Sequence, residues 1–445
     1  MNQPYQLDAT AVADEVRSGR LRVRDVAESV LDRIAARDAD VLAWSHLDPD
    51  AVLARADELD AREVKGPLHG VPVGIKDVIN TRDMPTEHHT ARYVGSMPGV
   101  DAACVDVLRG AGALLVGKTV TTEFAATSDG GPTRNPHDPA RTPGGSSSGS
   151  GAAVADLQAA VTLGTQTGGS TIRPASFNGV YALKPTWNSI SREGLKMYAA
   201  TCDTLGLYTR SARDLALLAD VFLLDDPQTP LPESLEGLRI GLCRTPAWPH
   251  ASTATQTVLR QAADIAEAAG AKVVDLDLPA EFDDIPRVHR TILRREGRSA
   301  FLNEHLASPE LKPFFHEIVL GADAVDTVGW RTGALGTDDF RAAYRTADHC
   351  RAVFDDIAAG VDVVLTPSAP GEAPVGIENT GLSVFNSMWT LLQVPVVNVP
   401  GLVGPSGMPI GVSLVTRRYE DRWAIACAGL LGAALAGSTQ AVAAA

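Results

Sequence analysis

Apolar positions along this chain change their spacing several times, and each change marks an element. From residue 5 to 62 they recur at helical intervals: Leu7, Val12 and Val16 share one face, as do Val26, Val30, Leu31 and Ile34. Helices are predicted across that stretch. In "GPLHGVPVGIKDVINT" (66–81) Val71, Val73 and Ile75 alternate between Gly and Pro, which predicts a short strand ending at Lys76 and Asp77. "ACVDVLRGAGALLVGKT" (103–119) reads as a helix, a glycine break and a strand. "AAVADLQAAVTLGTQTGG" (152–169) reads as a helix of small residues leading into a strand and a glycine turn. Pro227, Pro230 and Pro232 mark a connection over 225–237. Beyond it, "LRIGLCRTPAWP" and "AKVVDLDLP" are predicted strands around the helix "TQTVLRQAADIAEAAGA". Residues 282–358 read as mostly helical and charged, and "VDVVLTPSAP" (361–370) and "VPVVNVPG" (394–401) as buried strands. Helices and strands mix throughout without a fixed repeat, so the expected fold class is α/β.

Composition narrows the partners. Of 445 residues, 39 are Lys or Arg and 54 are Asp or Glu, a formal net charge of −15. Nucleic acid and anionic membranes reward basic surfaces, so neither is an expected partner. Cys104, Cys202, Cys243, Cys350 and Cys427 are scattered without a CxxC pair, which suits buried free thiols in a reducing compartment. "MNQPYQLDATAVADEV" has no basic region followed by an apolar run. The uncharged stretch Trp423–Gly437 falls short of the ~20 residues that span a bilayer. A core helix and a cytoplasmic chain are expected.

Two motifs invite a wrong reading. "GALLVGKT" (112–119) matches the phosphate-binding pattern GxxxxGK[ST], but Ala-Leu-Leu-Val between the glycines should itself be a buried strand. "GSSSG" (145–149) matches the nucleophile elbow GxSxG centred on Ser147, but "NPHDPARTP" upstream is loop where an elbow needs a strand.

Three further segments combine better: "GIKD" with Lys76, "GGSSSG", and "TQTGGSTIRP" with Ser170 after two glycines. A serine hydroxyl needs a base to become nucleophilic. Lysine can be that base only when neutral, which burial promotes. Small residues before Ser170 let consecutive backbone N–H groups converge, as an oxyanion hole requires. Singly, a solvated lysine and an ordinary Gly-Gly-Ser turn are the plainer readings.

Together the segments resemble the amidase signature family of serine hydrolases. "LHGVPVGIKD", "GGSSSGSGAAVA" and "GTQTGGS" carry the likeness, with "ALKP" (182–185), "LTPSAP" (365–370) and "GMPIGVSLV" (407–415) as further landmarks. The likeness is strong over 65–215 and fair over 360–430, and nothing specific marks 225–358. It implies one domain over 1–445, with a large mixed sheet covered on both faces by helices, a catalytic core at about 65–215 and a substrate-covering region at about 225–358. It implies Ser170 as nucleophile, Ser146 after a cis peptide bond as proton bridge, and Lys76 as ultimate base. The N–H groups of Thr167, Gly168, Gly169 and Ser170 would form the oxyanion hole. No metal or cofactor is implied. The expected activity is hydrolysis of a small-molecule amide, with carbamate, ureide or anilide hydrolysis as the alternative. A role within a glutamine amidotransferase for tRNA-linked amidation is the further rival. A homodimer is compatible with all of these.

The sequence departs from the common pattern "GSDTGGSIRQP". Gln166 stands where Asp is common, and Arg173 lies three residues after Ser170 rather than two. In this it looks like the malonamidase and allophanate hydrolase branch. Arg173 either grips a substrate carboxylate or pairs with an internal acid. Gln393 replaces a usual Gly and either enters the pocket or reshapes a loop. The segment 123–136 is short, which leaves substrate choice open.

Overall fold

The computed structural model describes residues 3–225, 230–321 and 335–443. Eleven strands among them form one sheet: β1 (Trp44–Leu47), β2 (Pro72–Lys76), β3 (Leu114–Thr119), β4 (Val161–Gln166), β5 (Tyr181–Lys184), β6 (Thr204–Thr209), β7 (Arg239–Leu242), β8 (Lys272–Asp275), β9 (Val363–Pro367), β10 (Val396–Val403) and β11 (Pro409–Val415). Their order is β1-β3-β2-β4-β6-β5-β10-β11-β9-β7-β8. β2 runs parallel to β3 and β4, the middle of the sheet from β4 to β9 is antiparallel, and β7 is parallel to β8 and β9. The sheet is mixed, as expected, and it threads the 225–358 region into the same body through β7 and β8.

Side chains alternate across the strands, and the two faces build separate cores. Val73, Ile75, Leu163, Leu183, Leu207, Val397, Leu414 and Leu365 pack with the N-terminal helices and with helices Ala212–Val221, Thr253–Ala268 and Asp421–Ala443. Val364, Val396 and Val415 point the other way, toward helices Ile285–Ala300, Thr337–Ala358 and Ser387–Leu391. On that same face, Ala182 and Tyr208 meet Val154 and Ala175 of helices Ser148–Ala155 and Ile172–Asn178.

Two sequence expectations are corrected. The stretch 5–62 is not helical throughout: β1 interrupts it, framed by Leu42 at φ 55° and by Asp48, which caps the next helix. Four residues at a sheet edge are too few to imprint a period. β5, β6 and β11 are strands that the apolar spacing does not predict; Gly206 and Gly411 break the apolar run of the last two. Part of the predicted 225–237 connection, including Pro227, and residues 322–334 of the charged helical region lie outside the described residues. Among the described residues no helix is long and apolar enough to cross a membrane.

The Gly/Ser run from Gly144 to Gly151 is packed against the sheet. It enters helix Ser148–Ala155, which is buried from Ser148 through Val154. A Cβ on Gly149 would stand 2.1 Å from Ala43 O and 2.5 Å from Val120 N, so only glycine lets this helix lie against the sheet.

Candidate active site

Lys76 ends β2 with no exposed surface. Its Nζ lies within hydrogen-bond distance of Ser146 Oγ at 2.8 Å, Ser147 Oγ at 2.9 Å and Thr165 Oγ1 at 2.8 Å. Burial drives its pKa well below the ordinary lysine value, and Asp203 opposes that only in part. Two other lysines are fully buried. Lys118 pairs with Asp77, and Lys184, lowered to about 7 by burial, donates to Pro185 O. Burial alone therefore does not single out a base; only Lys76 is surrounded by hydroxyls. The Gly145–Ser146 peptide is cis. Ser146 is 2% exposed and is not among the residues that line the adjoining wall of the cavity at Thr167–Ser170.

Ser170 opens instead onto a cavity of ≈ 380 Å³, whose wall includes Thr167, Gly168, Gly169 and Arg173. Its Oγ makes no hydrogen bond among the described residues, so it is open to a ligand. The loop before it is held by its carbonyls. Thr167 O accepts from His289 Nε2 at 2.9 Å, Gly168 O from Thr390 Oγ1 at 2.7 Å, Gly169 O from Arg173 N at 3.1 Å, and Ser170 O from Tyr208 Oη at 3.1 Å. The N–H groups of Gly168, Gly169 and Ser170 have no partner among the described residues. The four carbonyls are thus engaged within the protein, and three backbone donors of the cavity wall are left without a protein partner.

The loop's anchors carry no signal in the sequence. Thr167 Oγ1 donates to Asp203 Oδ1 at 2.5 Å, and Asp203 Oδ2 accepts from Tyr198 N and Ala199 N. Burial raises the Asp203 carboxyl to about 6. Gln166 explains its own departure from the family pattern. Its Oε1 accepts from Thr171 N at 2.9 Å and Ile172 N at 3.0 Å, as an Asp oxygen could, while its Nε2 donates to Thr390 Oγ1 at 3.0 Å. Gln166 thus orients the hydroxyl that pins Gly168. Replacing Thr390 by Val removes that pin at nearly constant volume. The expected result is a kcat lower by about tenfold, the scale of one hydrogen bond, with KM little changed.

Arg173 is buried in the cavity wall, 5% exposed. Its Nη2 donates to Gly145 O at 2.5 Å and Thr380 Oγ1 at 3.2 Å, while its Nε is sealed without a partner. No carboxylate pairs with it among the described residues, so the internal ion pair is not what the structure contains. Burial lowers its pKa to about 10, which still leaves a cation at neutral pH. Gln393 does not enter the cavity. It sits at φ 64°, where glycine is the easy residue, and its Nε2 donates to Thr201 O at 3.0 Å.

Both misleading motifs resolve. Leu114–Thr119 is fully buried as β3, with no phosphate loop. Ser147 is sealed beneath Lys76, its Oγ also donating to Thr165 O at 3.2 Å, and cannot meet a ligand in the cavity.

A single mixed sheet, with a buried lysine among hydroxyls and a glycine loop at a cavity, suits a hydrolase of the amidase class. Residues 25–424 match the Amidase family model, and the chain belongs to that family. It is 32% identical to a glutamyl-tRNA(Gln) amidotransferase subunit of Chloroflexus aurantiacus, over 95% of each chain. Among solved structures it resembles an amidase (TM-score 0.84, 29% identity, 96% of this chain and 99% of that one). It also resembles the peptide amidase of Stenotrophomonas maltophilia (TM-score 0.79, 28% identity, 97% of each chain).

Proposed function

We propose that this chain hydrolyses the C–N bond of a small amide bearing an anionic group, through an acyl-enzyme on Ser170. One observation carries the reading: Lys76, whose pKa burial lowers, touches Ser146, and Ser170 lines a cavity beside backbone N–H groups without a protein partner. Ser170 attacks the carbonyl as its proton passes to Ser146 and one from Ser146 passes to Lys76. The oxyanion rests on the N–H groups of the Thr167–Ser170 loop. The C–N bond then breaks, the leaving amine takes a proton back along the same path, and water releases the acid. Arg173, an uncompensated cation in the cavity wall, favours a substrate carboxylate and supports the malonamidase or allophanate hydrolase branch. Carbamates, ureides and anilides would react by the same steps. Pro286, His289, Leu293, Phe314 and Ile318 line the cavity, which supports a substrate-covering role for the region at about 225–358.

A second reading rests on the relatives' name: release of ammonia from glutamine within an amidotransferase. Glutamine also carries a carboxylate, so substrate comparison decides. The present reading expects faster turnover of malonamate than of glutamine by the chain alone.

The test of the centre is labelling with a fluorophosphonate probe followed by mass spectrometry. A single adduct on Ser170 is expected. Label on Ser147, or none, refutes the mechanism.

A further inference from the structure

His289 belongs to helix Ile285–Ala300, in the part of the chain without family landmarks, and it lines the cavity. Its side chain is 5% exposed, and Nε2 lies 2.9 Å from Thr167 O. A carbonyl oxygen only accepts, so Nε2 carries the ring proton. Burial lowers the ring's pKa to about 4, so the imidazole is neutral near pH 7 and Nδ1 keeps its lone pair. The tautomer is thereby fixed by the oxyanion loop itself. No described residue donates to Nδ1, and Nδ1 is not among the sealed, unpartnered polar atoms of the interior. A Cβ on Gly168 would stand 3.7 Å from the ring's Cε1, so the ring borders the loop that presents Ser170. The cavity wall, which also includes Asp129, Arg290, Arg294 and Glu317, thus offers unpartnered backbone donors, the Arg173 cation and, beside the loop, an oriented neutral imidazole acceptor.

We propose that His289 is a specificity-determining residue: through Nδ1 it accepts a hydrogen bond from an N–H on the acyl side of the scissile carbonyl. The cavity then selects ureides, in which N–H flanks that carbonyl, over amides with a methylene there. Both kinds share the leaving N–H₂, so only the acyl-side group distinguishes them. This inference rests on the amidase reading above.

Isosteric pairs isolate the contact. Malonamate and ureidoformate differ by CH₂ against N–H, as do succinamate and N-carbamoylglycine. Each is measured as a competitor that protects Ser170 from the fluorophosphonate, which removes differences in intrinsic reactivity. In the wild type the ureide of each pair should protect about two- to tenfold more tightly, the range one neutral hydrogen bond supplies. His289→Gln keeps an N–H that can reach Thr167 O and loses the Nδ1 lone pair. Each competition is normalised to the variant's own labelling rate, and the ureide preference should fall to about one. Equal protection within each wild-type pair overturns the proposal, and does so even if the variant fails to fold. A preference that survives in His289→Gln overturns it too. Absence of any label on Ser170 would instead remove the reading on which it rests.

Discussion

Replacing Lys76 by Ala should lower kcat/KM by about 10²–10⁴-fold, the usual contribution of a general base. The loss follows from position. Lys76 meets three hydroxyls and no carboxylate, so its neutral amine is the one acceptor toward which a proton from Ser146 can move. Lys76→Arg should be equally inactive, because guanidinium does not give up its proton in the accessible range. The pH profile follows from the sign of the shift. The folded-state pKa is depressed, so kcat/KM should fall as pH drops through the lowered value. The unfolded chain binds that proton more tightly. Wild-type stability therefore gains with rising pH up to the ordinary lysine value. Lys76→Met removes this dependence. Its stability relative to wild type, read from urea midpoints, should decline between pH 7 and pH 10. A constant difference would mean that Lys76 is charged in the folded protein.

Much of this centre was legible in the sequence because its chemistry sits in three short segments with unusual composition. Lys76 follows an alternating apolar run, and the glycines around Ser146 and before Ser170 have no other economical explanation once Gly149 is seen against Ala43 O. What the sequence could not reveal is what holds those segments. Thr390 reaches Gly168 O across 222 residues and His289 reaches Thr167 O across 122. A threonine on an apolar helix and a histidine among arginines carry no local signal of such bonds. Asp203 is similar: five residues from Tyr198 in sequence, it looks like a turn residue until its other oxygen is found on Thr167. The sheet shows the same limit. Strands preceded by turn residues and a clean alternation were readable. The four-residue β1 and the glycine-broken β6 and β11 form because neighbours offer a ladder, which no window of sequence contains.

Arg173 supplies the other large effect. A buried cation without a carboxylate is costly to keep, and breaking a desolvated charge pair typically costs about 2–5 kcal/mol. If a substrate carboxylate completes that pair, Arg173→Met should reduce kcat/KM on malonamate by roughly 30- to 4 × 10³-fold, the same energy expressed as a rate ratio. The side chain also braces Gly145 O, next to Ser146, so some loss on every substrate is expected. The diagnostic quantity is therefore the ratio between malonamate and a neutral amide of similar size, such as butyramide. That ratio should fall by at least about tenfold in Arg173→Met, mainly through KM. The variant should match or exceed wild-type stability, because Met fills the space without a desolvated charge. An equal loss on both substrates would leave Arg173 as a brace for the Gly145–Ser146 segment, and the anionic substrate class would have to be abandoned.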